Sequence, residues 1–122
     1  IDFTHPYTPE LRRRLVAAGG ASGVELLDGG VYAAVSGPRL ETAADIDRLE
    51  RDGATMVGMT GMPEAVLARE LGLEYAAVAV VANFAAGRAS SRDEVSLEQI
   101  SVVLDPAMKR VHALIEALLK ND

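Results

Sequence analysis

Three short apolar runs, residues 31–35, 54–58 and 75–82, each give way to a loop rich in glycine and polar side chains, and stretches of helical periodicity lie between them. That alternation constrains the fold more than any other feature. Strands alternating with helices imply a layered α/β architecture, with helices covering a sheet. The run at 75–82 is almost wholly apolar and rich in Val, the pattern of a strand buried on both faces. Residues 24–27 add a fourth candidate strand, and Asp28-Gly29-Gly30 reads as the turn of a hairpin joining it to 31–35.

Local signals place the helices. Thr8-Pro9-Glu10 supplies an N-cap, a proline at the first helical position and an acidic first turn, and Gly19-Gly20 is expected to end that helix. Residues 41–52 carry an apolar stripe through Ala44, Ile46 and Leu49, with Gly53 as the stop. Pro63 is expected to open the next helix, which runs to Glu70 or Leu71. Ser96-Leu97-Glu98-Gln99 has the form of a capping box before a long final helix, which Pro106 should kink or split. Beyond Pro106 the apolar positions Met108, Val111, Leu114, Ile115 and Leu118 define its inner face.

With 122 residues, the chain can form one domain with a real core but not two. A net charge of −6 without a strong basic patch argues against a nucleic-acid surface, and no run suits a membrane span or a secretory leader. The Arg12-Arg13-Arg14 cluster reads as a solvated helix face. Lack of cysteine excludes a disulfide framework or thiolate metal site and suggests a reducing, cytoplasmic setting. His5 and His112 have no metal or triad spacing and read as structural. The chain opens Ile1-Asp2-Phe3 without an initiator Met, as expected of a processed chain or a piece of a longer one.

Ligands of open α/β sheets bind beyond the carboxyl ends of the strands. Three such ends are readable: Ser36-Gly37-Pro38-Arg39-Leu40-Glu41-Thr42, Gly58-Met59-Thr60-Gly61-Met62-Pro63-Glu64 and Asn83-Phe84-Ala85-Ala86-Gly87. Thr60 precedes a helix start, where free N–H groups and the dipole favour anions, though it also suits a simple turn cap. Glu41 can either favour a helix dipole or accept a hydrogen bond from a ligand N–H. Asn83 can both donate and accept at a strand end, or cap its loop.

Gly37-Pro38-Arg39-Leu40-Glu41-Thr42, Val57-Gly58-Met59-Thr60-Gly61-Met62-Pro63-Glu64-Ala65 and Val80-Val81-Ala82-Asn83, in this order and spacing, resemble the trimeric purine nucleoside phosphorylases and 5′-methylthioadenosine phosphorylases, and within that family the bacterial S-methyl-5′-thioinosine phosphorylases. The resemblance runs from about Asp2 to the C-terminus. It implies that residues 1–122 are the C-terminal half of a single phosphorylase domain, a three-layer fold with a mixed β-sheet flanked by helices. It further implies a homotrimer that needs the N-terminal half, inorganic phosphate as co-substrate, and neither metal nor organic cofactor. This half alone is expected to be inactive.

Carried onto this sequence, the resemblance makes Thr60 a phosphate ligand and sets Met59 against the ribose. It sets Leu40 on the base, has Glu41 and Asn83 read the purine edge, and gives Asn83 the catalytic role. A Glu41 carboxylate accepts from the N1–H of a 6-oxopurine, while Asn83 donates to O6 and accepts from N7–H of the departing base. In adenosine-type members acids stand at the positions of Asn83 and Ala85, and the position of Glu41 is not acidic. Leu97 stands near the position where purine nucleoside phosphorylases place a histidine for the 5′-hydroxyl, and suits a methylthio group. The implied reaction is phosphorolysis of 5′-methylthioinosine to hypoxanthine and 5-methylthioribose 1-phosphate, in purine salvage. Inosine/guanosine or 5′-methylthioadenosine phosphorolysis is the alternative within the family. A non-catalytic α/β module for a small anion or a protein partner is the alternative outside it.

Overall fold

A computed structural model describes residues 1–120. Their elements, in chain order, are α1 (Pro9–Ser22), β1 (Tyr32–Ala34), α2 (Ala43–Arg51), β2 (Met56–Gly58), α3 (Glu64–Glu70), a 3-10 turn (Ala89–Ser91) and α4 (Leu97–Lys120). The chain packs as two compact units, each assembled from separated segments. The first comprises Ile1–Asp28, Gly61–Ala79 and the chain from Pro106 onward; the second comprises Gly29–Thr60 and Val80–Asp105.

The first unit is an apolar assembly of helices. Leu15 and Ala18 of α1 pack on Leu114 of α4, and Leu114 is fully buried. Leu26, Ala76, Ala117 and Leu118 close around them. Thr8 holds the N-cap position of α1, but its side chain makes no cap bond. Its hydroxyl accepts instead from the Tyr75 N–H at 3.0 Å, and its own N–H donates to the Tyr75 carbonyl at 2.7 Å. A local signal has thus been put to tertiary use, and stacking of the Tyr7 and Tyr75 rings reinforces the same junction.

The second unit holds the sheet, two parallel strands in the register Tyr32↔Met56, Ala33↔Val57 and Ala34↔Gly58. Parallel strands need a long crossover, and α2 provides it. Thr42 caps α2 by accepting from the Asp45 N–H, and the Asp45 carboxylate accepts from the Thr42 N–H at 3.0 Å, a complete capping box. At the other end, Gly53 donates to the Glu50 carbonyl and Ala54 to the Leu49 carbonyl, the two reverse bonds of a Schellman stop. Ile46 is buried and Leu49 half-buried, whereas Ala44 of the expected stripe is exposed.

Several expectations are corrected. Helix α1 does not stop at Gly19-Gly20 but runs to Ser22 and ends at Gly23 in the left-handed region. Gly19 serves packing: a Cβ there would lie 2.8 Å from the Val24 carbonyl oxygen and 2.9 Å from Leu26 Cδ1. Residues 24–27 form no strand, so the hairpin is absent, and residues 31–35 take their partner from β2 instead. Residues 75–82 form no strand either, with Val78 and Val81 exposed at 38% and 68%. An apolar run becomes a strand only when another strand saturates its backbone, and among the described residues none lies beside it. The described sheet is parallel and two-stranded. Pro63 is the N-cap of α3, not its first helical residue. Pro106 lies inside α4, which continues through it; residues 97–105 belong to the second unit and the remainder to the first. Ser96 does cap this helix, accepting from the Gln99 N–H at 3.2 Å.

Candidate active site

Beyond the carboxyl end of β1 the second unit opens a cleft of about 240 Å³. Val35, Ser36 and Gly37 leave β1 and form one wall; Arg39, Glu41, Asp45, Arg48 and Leu49, from the loop and α2, complete the lining. Val35 extends the ladder, donating to the Gly58 carbonyl at 2.9 Å. The chain then turns sharply at Gly37, whose φ of 64° is one that side-chain-bearing residues seldom adopt. The Met59 sulfur occupies the space where a Cβ on Gly37 would stand, so the two strand-end loops touch there.

The half-buried Glu41 is the sequence-identified site residue that lines this cleft. Two arginines share the lining, but their guanidinium groups engage other carboxylates: Arg39 bonds Asp45 at 3.1 Å and Arg48 bonds Asp52 at 3.3 Å. Bonds from the Thr42 backbone and hydroxyl, and then from Arg39, hold the Asp45 carboxyl down to about 2. Asp45 is thus an anchored anion beneath the loop that presents Glu41.

The remaining candidates lie outside the cleft lining. Leu40 and Met59 are exposed at 41% and 47%, and Leu97, the first residue of α4, at 68%. Asn83 is exposed, and its Nδ2 donates to the Phe84 carbonyl at 2.6 Å. Thr60 is exposed, and its Oγ1 lies 3.1 Å from the Tyr32 Oη. Helix α3, which follows Thr60 in sequence, has only the seven residues Glu64–Glu70 and offers little dipole of its own.

Three features of this region escaped the reading of the sequence. In sequence Tyr32 is only part of an apolar run, yet its hydroxyl meets Thr60. The Arg39–Asp45 pair joins two positions six apart across the N-terminal cap of α2. Arg88 bonds both Asp47 and Glu50 of α2 at 2.7 Å, which raises its pKa further and ties the loop after Asn83 to the crossover helix. The spacing of Asp47 and Glu50, one turn apart on α2, is the one sequence signal that could have marked them as a joint acceptor. Among the described residues no group of three or more His, Asp or Glu is arranged to hold a metal ion, and no helix is long and apolar enough to cross a membrane.

The chain is 49% identical over 121 residues to a probable S-methyl-5′-thioinosine phosphorylase of Xanthomonas campestris, covering 99% of this chain and 48% of that protein. It is 53% identical over 119 residues to a probable S-methyl-5′-thioinosine phosphorylase of Pseudomonas syringae, covering 98% of this chain and 48% of that one. A probable 6-oxopurine nucleoside phosphorylase of Moorella thermoacetica is 44% identical over 114 residues, covering 93% and 43%. The chain thus spans about half the length of the curated relatives it matches. Among solved structures, methylthioadenosine phosphorylase from Schistosoma mansoni in complex with adenine superposes with a TM-score of 0.88 at 22% identity, covering 98% of this chain and 47% of that one. At that identity the superposition speaks for the fold. The match to the Phosphorylase superfamily extends over residues 1–120, and the chain belongs to that family.

Proposed function

We propose that this chain is the C-terminal half of an enzyme that cleaves the N-glycosidic bond of a 6-oxopurine nucleoside with inorganic phosphate, with 5′-methylthioinosine as the preferred substrate. The observation that carries the reading is Glu41 on the wall of the strand-end cleft. Its support is high identity, over nearly the whole chain, to proteins named for methylthioinosine and 6-oxopurine nucleosides.

The chemistry follows from charge. A phosphate oxygen attacks C1′ of the sugar as the bond from C1′ to N9 breaks, and the bonding electron pair leaves with the purine. The sugar passes through an oxocarbenium-like state, so positioning and stabilisation of the departing base supply most of the acceleration. Glu41 as carboxylate accepts from N1–H. Asn83 accepts from N7–H as the base takes its proton. The Asn83 amide has two N–H donors, so the bond to Phe84 leaves one for O6. Adenine-type bases carry no proton at N1 and would set a lone pair against Glu41, and sites built this way reject the mismatched base strongly. Thr60 donates to phosphate, Met59 and Leu40 flank sugar and base, and Leu97 faces the methylthio group. On the same reading the whole enzyme is a cytoplasmic homotrimer without metal, and this half alone does not turn over substrate.

The test uses the complete enzyme with phosphate. It should cleave 5′-methylthioinosine with a kcat/KM at least about 100-fold above that for 5′-methylthioadenosine, and Asn83→Asp should shift the preference toward the 6-amino substrate. Comparable rates on the two nucleosides would overturn the assignment of Glu41 and Asn83. Release of base without consumption of phosphate would overturn the reaction class.

A further inference from the structure

We propose that Tyr32 is a positioning residue for phosphate, fixing the direction in which the Thr60 hydroxyl donates. The inference rests on the reading of Thr60 as a phosphate ligand and deepens it. Tyr32 pairs with Met56 in the parallel ladder, so its side chain shares a face with positions 56, 58 and 60 of the second strand and its extension. The ring reaches along that face over Gly58, where a Cβ would lie 2.9 Å from Tyr32 Cζ; any larger residue at 58 would push the ring away. At the end of this reach, Tyr32 Oη takes part in two contacts with one residue. It accepts from the Thr60 N–H at 3.3 Å and lies 3.1 Å from Thr60 Oγ1.

Either oxygen could donate across the Oη–Oγ1 contact, and the positioning role requires Tyr32 to be the donor. A phenol oxygen has one hydrogen to give and lone pairs to receive with. With one lone pair engaged by the Thr60 N–H, Tyr32 in this role gives its hydrogen to Thr60 Oγ1. The threonine oxygen is then an acceptor toward Tyr32, and its own hydrogen is free to point outward. A hydroxyl held in this way is a preset donor for an anion, with no rotor left to order on binding. A lone threonine hydroxyl could equally present its lone pairs, which would repel phosphate. The Tyr32 hydroxyl therefore sorts the two states of Thr60 without touching the ligand itself.

Tyr32→Phe in the complete enzyme removes the hydroxyl and keeps the ring over Gly58. The expected result is a rise of about fivefold in KM for inorganic phosphate, with kcat at saturating phosphate and KM for the nucleoside within about twofold of the parent. In a Thr60→Ala background the same change should have no further effect, because both act through one hydrogen bond. An unchanged KM for phosphate overturns the proposal, and so does an equal rise in KM for the nucleoside or an additive effect on Thr60→Ala. Calorimetric titration with inorganic phosphate alone separates this idea from the assigned reaction. Phosphate binding that weakens in Tyr32→Phe, in a protein that cleaves no nucleoside, would keep the relay and sink the phosphorylase. A phosphorylase whose Tyr32→Phe form binds phosphate as the parent does would keep the reaction and sink the relay.

Discussion

The two compact units are held by different forces. Around Leu114 the first unit excludes water: Leu15 and Ala18 are buried against it, and apolar groups from three segments of chain complete the packing. The second unit buries one large apolar side chain, Ile46, and one polar one, Ser91, among the described residues. Its shape rests on a three-residue parallel ladder, a capping box, a Schellman stop and the two bonds of Arg88. These are directional bonds, and they set positions and angles for the loops that carry Glu41, Thr60 and Asn83. Packing is the stronger source of stability and directional bonding the sharper source of geometry. The candidate site is accordingly made from the polar unit.

Substitutions of matched severity should separate the two kinds of support. Leu114→Ala leaves a cavity in the apolar unit and should cost about 2–5 kcal/mol of unfolding free energy, read by urea denaturation. A loss under 1 kcal/mol would mean that the first unit does not depend on that packing. In the polar unit, Thr42→Ala removes the cap of α2 and should cost about 1 kcal/mol by the same measurement. It should also loosen the Asp45 side chain, because Thr42 supplies the leading bonds that hold its carboxyl at about 2.

The smallest effect is a pH dependence. Asp45 is depressed in the folded protein from an ordinary 3.8 to about 2. A group depressed on folding adds stability that is fully present above its unfolded pKa and is lost as pH falls through its folded one. The contribution of Asp45 should therefore be intact above pH 4 and fade as pH falls toward 2. Asp45→Asn should flatten the stability profile in that window alone. A parent and variant with parallel profiles between pH 4 and pH 2 would show that the Thr42–Asp45 box does not persist in solution.

The candidate site was legible in outline. Glycines and polar residues at the ends of apolar runs marked residues 36–42, 58–64 and 83–87, and the cleft is lined from the first of these. The Arg39–Asp45 and Tyr32–Thr60 contacts were not legible. Neither residue of either pair advertises its partner, since Arg39 looks like a solvated charge and Tyr32 like one more apolar strand position. The Arg88 contact spans 41 residues to Asp47, a separation that leaves no local trace.

The sequence by itself determined the start of α1 at Thr8-Pro9, the Ser96 cap of α4, the Gly53 stop of α2 and the order of the strand-end segments. Each of these depends on bonds among residues within about one helical turn, or on the identity of single residues. Tertiary structure decided which apolar runs became strands and with which partner. A strand's hydrogen bonds are made to a distant segment, so residues 24–27 and 75–82 carry strand-like composition but remain outside the ladder, while residues 32–34 pair in parallel with 56–58. That choice of partner set the face on which Tyr32 lies and brought its hydroxyl to Thr60.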